Sequence, residues 1–284
     1  APDITKTADN DATTVHVGQT VTYTITGQVP DMTGYSNYVY KIHDTLTNGL
    51  DFVTNEAGNV VVTVKIGETT YNDVVGAISK DNARNMTIDL SEKVKTAATG
   101  AKIEVTYQAK VNKNAEVTNN NKASLEYGNN PSDTTTTTPS EAKTPTYPLD
   151  IKKINKKTSE LLAGAKFSLY RIETDAKNGE NAITVTGSNG NYVVDSASTT
   201  TEFESVGAIK GKGYNLHVNG LAAGDYWLVE TQAPEGFNKL TDPIKVTITK
   251  TGDEEWTVKK NDVSEGDKII DVENSTGSLL PSTG

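Results

Sequence analysis

Val21-Thr22-Tyr23-Thr24-Ile25 alternates apolar and polar residues with a period of two. One face of an extended strand can therefore be buried while the other meets water. Ile103-Glu104-Val105-Thr106-Tyr107 and Ile244-Lys245-Val246-Thr247-Ile248 repeat the pattern far along the chain, and no long helical periodicity competes with it. Turn residues punctuate the runs, as at Asn48-Gly49, Asn189-Gly190, and Gly220 with Gly224. Short alternating runs bounded by turns predict an all-β chain of Ig-like β-sandwiches.

A chain of 284 residues is too long for one ordinary domain and suits two. The clearest boundary is Ser132 to Thr146, where Thr134 to Thr138 run unbroken and Pro139 and Pro145 flank a charged patch. Such a stretch has too little apolar surface for a core and reads as a linker or an extended crossover. The expected organisation is thus a sandwich over 1–132, a Thr/Pro-rich linker over 133–146, a second sandwich over 147–276 and a tail over 277–284.

The formal net charge of −10 argues against nucleic acid and anionic membrane surfaces, both of which select basic patches. No apolar run approaches the length needed to span a bilayer. Ala1 leads straight into polar sequence, so a leader peptide is expected to have been removed. Cysteine is absent, which excludes disulfides, thiolate metal sites and a Cys nucleophile together. His16, His43 and His217 have no metal-ligand spacing, and neither a phosphate loop nor a nucleophile elbow occurs. The expectation is no enzyme, no metal and no cofactor.

The second half carries a family resemblance. Leu149-Asp150-Ile151-Lys152-Lys153-Ile154-Asn155 is followed by Leu162-Ala163-Gly164-Ala165-Lys166-Phe167-Ser168-Leu169-Tyr170. Later comes Gly220-Leu221-Ala222-Ala223-Gly224-Asp225-Tyr226-Trp227-Leu228-Val229-Glu230-Thr231-Gln232-Ala233-Pro234-Glu235-Gly236-Phe237. These segments resemble the first strands and the E-box of a collagen-adhesin B-type (CnaB) domain of Gram-positive pilins. The resemblance implies an isopeptide bond between Lys153 in the first strand and Asn274 in the last, assisted by Glu230. The pleat is compatible: Leu149, Ile151 and Lys153 share one strand face, as do Tyr226, Leu228 and Glu230, and Ile270, Val272 and Asn274. Read without the resemblance, Lys153 is a solvated edge residue in a salt bridge with Glu230.

The chemistry accounts for the residue types. A Lys amine attacks only when neutral, and apolar burial favours the neutral form. A carboxylic acid in the same setting can hydrogen-bond to the Asn carboxamide and shuttle protons as ammonia leaves. Folding supplies the proximity, so the step is a single-turnover autocatalysis.

In the first half, Pro2-Asp3-Ile4-Thr5-Lys6, Val17 to Ile25 and Asp44 to Phe52 are similar to the isopeptide-forming middle domain of pilus shaft subunits, related to collagen-adhesin A-type (CnaA-like) sandwiches. In that family the assisting acid is usually Asp. The resemblance implies a bond from Lys6 to Asn129, assisted by Asp44, with Asn130 as the alternative if a bulge shifts the face. On the residues alone, Asp44 reads equally as the cap of the following turn.

Leu280-Pro281-Ser282-Thr283-Gly284 resembles the sorting motif cut by a sortase between Thr and Gly. In that family an apolar segment and a basic tail continue beyond the Gly; neither follows Gly284, so the signal is expected to have been trimmed. Together the resemblances imply a secreted, cell-wall-anchored subunit of a covalently polymerised pilus. Its partners would be sortase, neighbouring pilin subunits and peptidoglycan. The acceptor Lys motif of shaft subunits, Tyr-Pro-Lys, is not met at Tyr147-Pro148-Leu149. The alternative is a wall-anchored adhesin or minor pilin that binds a host extracellular-matrix protein.

Overall fold

The computed structural model describes residues 1–277; the Leu280–Gly284 motif lies outside them. The described chain is all-β apart from short helices such as α1 (Ser91–Lys95) and α2 (Glu173–Asn178). It divides into two compact units, 1–15 with 19–145, and 16–18 with 146 onward.

The first unit holds β1 (Thr5–Ala8), β2 (Thr20–Gln28), β3 (Val39–Leu46), β4 (Leu50–Phe52), β5 (Val60–Ile66), β6 (Thr69–Ile78) and β7 (Asn85–Asp89). It is completed by β8 (Lys102–Val111), β9 (Asn120–Gly128), β10 (Thr135–Thr136) and β11 (Ser140–Lys143). Hydrogen bonds link them in the order β1-β2-β8-β5-β6-β7-β3-β9-β10, with β11 also on β9 and β4 on β8. Alternation does the sorting: Val21, Tyr23 and Ile25 are buried, as are Ile103, Val105 and Tyr107, and Ile42 with Asp44. Although β1 and β9 are far apart in this order, the backbone N–H of Lys6 on β1 donates to Ser140 Oγ on β11, at 2.9 Å. The sheet thus folds back on itself around one core.

The Thr-rich stretch expected as a linker is part of this sheet. Thr135 and Thr136 pair with Tyr127 and Glu126, and Ser140 to Lys143 pair with Ala123 back to Asn120. Ala142, Thr144 and Thr146 are buried. The physical reason is that β9 presents an open edge, and β-branched Thr fits a strand that needs little core of its own.

In the second unit the strands are β12 (Tyr147–Asn155), β13 (Lys166–Tyr170), β14 (Val185–Ser188), β15 (Asn191–Val194), β16 (Phe203–Glu204) and β17 (Leu216–Leu221). They continue with β18 (Gly224–Gln232), β19 (Ile244–Lys250), β20 (Trp256–Lys260), β21 (Val263–Glu265) and β22 (Ile269–Asn274). Two sheets result, in the orders β14-β15-β17-β12-β22 and β16-β13-β18-β19-β20-β21. First and last strands lie side by side: β12 runs parallel to β22, with Lys153 opposite Val272 and Asn155 opposite Asn274. Leu149, Ile151, Phe167, Leu169, Leu228, Val246, Ile270 and Val272 fill the space between the sheets.

Candidate functional site

Two clusters of buried polar groups stand out, one in each unit. In the second unit, Lys153 and Asn274 are fully buried and Glu230 is 3% exposed. Asn274 donates through Nδ2 to Glu230 Oε1 at 2.9 Å, across from one sheet to the other. The same nitrogen donates to the Asn238 carbonyl at 2.8 Å, while the backbone N–H of Leu240 donates to Glu230 Oε1 at 3.0 Å. The loop after β18 therefore holds both the acid and the amide.

Lys153 Nζ donates to the Val272 carbonyl at 3.0 Å, on the strand that carries Asn274. Burial pulls this amine down to about 8, against the opposing pull of Glu230 and Glu273. Glu230 Oε2 and Asn274 Oδ1 have no hydrogen-bond partner. Both are acceptors, and buried acceptors without a donor are costly.

Sequence reasoning missed Asn215, which fixes the lysine from behind. Its Oδ1 accepts from the backbone N–H of Lys153 at 2.7 Å, and its Nδ2 donates to the Lys153 carbonyl at 3.2 Å. Nδ2 also donates to the carbonyls of Leu162 and Val206, at 3.1 and 2.8 Å. A side-chain amide thus extends the β17 pairing one step beyond Leu216. An Asn next to an alternating run gives no sign of that in sequence.

In the first unit, Lys6 is 3% and Asp44 1% exposed. Lys6 Nζ donates to Asp44 Oδ2 and to Tyr107 Oη, and Tyr107 Oη donates to the same Asp44 oxygen. The Lys6 nitrogen also lies 4.7 Å from the Tyr107 ring centre and 5.1 Å from that of Tyr23. Desolvation is the largest influence on both charges: it lowers Lys6 to about 8 and raises Asp44 above the usual carboxylate range. Each is partly offset by the other.

The amide of this cluster is Asn121. It is fully buried, and its Nδ2 donates to Tyr107 Oη at 2.9 Å. Its Oδ1 and Asp44 Oδ1 have no hydrogen-bond partner, repeating the pattern around Glu230 and Asn274. Asn129, expected at this position, is not brought to the cluster, and neither is Asn130. Both are exposed and follow the last residue of β9, Gly128. The reason is register: β9 runs antiparallel to β3, pairing Asp44 with Ala123, Leu46 with Asn121 and Val39 with Gly128. An acid near the end of β3 therefore meets the start of β9. Asn121 shares strand parity with Leu125 and Asn129 but lies at the opposite end of β9.

Among the described residues no group of His, Asp and Glu is arranged to hold a metal ion, and no helix is long and apolar enough to cross a membrane.

Residues 148–262 match the family described as SpaA, prealbumin-like fold domain. None of the curated proteins matches the sequence. Among solved structures, the pilus 2b backbone protein of group B streptococcus aligns with a TM-score of 0.62 at 24% identity, covering 98% of this chain and 99% of that one. The pilus backbone RrgB from Streptococcus pneumoniae aligns with a TM-score of 0.62 at 16% identity, covering 97% and 100%. The full-length major pilin SpaD from Corynebacterium diphtheriae aligns with a TM-score of 0.58 at 18% identity, covering 98% of this chain and 66% of SpaD. This chain has the fold of Gram-positive pilus backbone proteins, and its second unit carries a SpaA-type prealbumin-like domain.

Proposed function

We propose that the chain is a structural subunit of a covalently polymerised pilus on the Gram-positive cell surface, with an autocatalytic Lys–Asn isopeptide bond inside each unit. The observation that carries this reading is the repeated cluster: a buried Lys, a buried carboxyl and a buried Asn, set in the fold of pilus backbone proteins. An ionisable Lys is almost never fully buried without a purpose that offsets its desolvation.

In the second unit the neutral amine of Lys153 attacks Cγ of Asn274. Glu230 accepts the amine's surplus proton and returns one to Nδ2, which leaves as ammonia. In the first unit Lys6 and Asn121 react in the same way beside Asp44. The Leu280–Gly284 motif is the proposed sortase site, at which the Thr283 carboxyl is joined to a neighbouring subunit or to peptidoglycan.

The test has two parts. The intact mass of the purified protein is expected to fall short of the sequence mass by two ammonia molecules. On cells, antibody to the chain is expected to reveal a ladder of species that survives boiling in detergent. A full sequence mass refutes the internal bonds. A single wall-linked species refutes polymerisation and favours an adhesin.

A further inference from the structure

The two clusters differ in one respect. In the second unit the acid touches the amide nitrogen directly, Glu230 Oε1 to Asn274 Nδ2 at 2.9 Å. In the first unit the acid is Asp, one methylene shorter, and the Asn121 nitrogen bonds instead to a phenol. Tyr107 Oη is hydrogen-bonded at once to Lys6 Nζ, Asp44 Oδ2 and Asn121 Nδ2. Those are the attacking nitrogen, the acid and the leaving nitrogen of the proposed reaction. A hydroxyl both gives and takes a proton, so one group can serve all three.

We propose that Tyr107 is a catalytic proton relay for the first unit's cross-link, passing a proton from Lys6 to the departing nitrogen of Asn121. The proposal rests on the isopeptide reading above. The proton of the resting Lys6 ammonium first moves to Asp44, which leaves the amine neutral. The Nζ lone pair forms a bond to Cγ of Asn121, and the carbonyl π pair moves to Oδ1. Tyr107 Oη then takes one proton from the now positive Nζ and releases its own to Nδ2. The Cγ–Nδ2 bond breaks as the carbonyl re-forms, and ammonia departs. One proton has crossed from Nζ to Nδ2, and Tyr107 and Asp44 end as they stood before attack. The tyrosine never needs to carry charge, which suits a phenol whose ionisation is strongly disfavoured by burial and by Asp44.

The experiment follows newly synthesised full chain in a cell-free reaction, stopping samples by denaturation and scoring each cross-linked peptide by mass spectrometry. The Lys153–Asn274 link in the same molecules serves as the clock. Tyr107→Phe, which removes only the hydroxyl, is expected to slow the Lys6–Asn121 link at least ~100-fold relative to that clock, the lower end of general acid–base contributions. The double variant Asp44→Glu with Tyr107→Phe is expected to recover speed, because the longer acid can reach the amide nitrogen as Glu230 does. A Tyr107→Phe chain that links as fast as the parent overturns the relay while leaving the cross-link intact. A double variant no faster than Tyr107→Phe also overturns it and leaves the tyrosine a packing role. A parent chain with no Lys6–Asn121 link defeats the underlying reading instead.

Discussion

Lys153 and Asn274 lie on adjacent parallel strands two positions out of register, so that the lysine amine sits against the Val272 carbonyl one pleat short of the Asn274 side chain. That offset lets a long side chain lean forward along its strand toward the amide, and Glu230 meets it from the opposite sheet. Glu230→Gln keeps the size of the acid but removes its capacity to take a proton. Its intact mass is expected to exceed the parent's by one ammonia, with the first unit's link preserved. A parental mass, corrected for the substitution, would remove Glu230 from the mechanism.

The choice between Asn121 and Asn129 is open to a direct comparison. Asn121→Ala is expected to fall short of its own sequence mass by one ammonia, whereas Asn129→Ala, on an exposed residue, is expected to fall short by two, as the parent is. Tryptic mapping should find Lys6 joined to the peptide that contains Asn121. The opposite pattern would show that β9 is shifted along β3 in the folded protein.

Burial of Lys153 predicts a pH signature in a chain that cannot cross-link. In Asn274→Ala the amine stays free, titrating near its ordinary 10.5 when unfolded and at about 8 when folded. Between those values the unfolded chain holds one proton more, so stability rises with pH across that window. Below about 8 both states are charged and the cost of burial is fully present. The gain on going from pH 7.5 to pH 10.5 is expected to approach about 3 kcal/mol, the free energy of the shift. Urea denaturation at the two pH values measures it. A parent that carries the proposed link would have an amide there instead of an amine and would lack this trend, and an Asn274→Ala chain without the trend would count against a buried free lysine.

Each proposed link would close a loop on the order of 120 residues and is expected to stabilise its unit by about 5 kcal/mol on the chain-entropy account. Lys153→Ala also removes a buried polar group, so it is a poor measure of this term. The better measure is Asn274→Asp, which preserves shape but reacts poorly as a carboxylate; its second unit should melt well below the parent's in calorimetry. Identical melting temperatures would mean that the link adds nothing to the folded state.

Much of the second unit's site was legible because three alternating runs each end on a polar residue of the buried face: Lys153, Glu230 and Asn274. Strand parity needs no knowledge of neighbours. The first unit was harder because parity selects a face but not an end. Only the antiparallel register of β3 on β9 separates Asn121 from Asn129. Tyr107 is the last residue of an alternating run, and a core tyrosine looks the same in sequence whether or not its hydroxyl has work to do. Thr134 to Thr146 misled for a related reason: composition reports whether a segment can form a core, not whether a sheet edge is waiting for it.

The pairing of β11 with β9 has a mechanical consequence. Under tension along the chain, the proposed bridge from Lys153 to Asn274 would shunt the load past nearly all of the second unit. The proposed bridge from Lys6 to Asn121 would relieve the first unit only as far as Asn121, and the load would then run on through β9, β10 and β11. Asn121 and Ala142 face each other in that antiparallel pair, so stretching pulls them apart at the open end and breaks the ladder one hydrogen bond at a time. About 20 residues would pay out there, roughly 70 Å of slack at full extension. If both proposed links form, this hairpin is the stretch between them that can lengthen under load and pair again when the load is released.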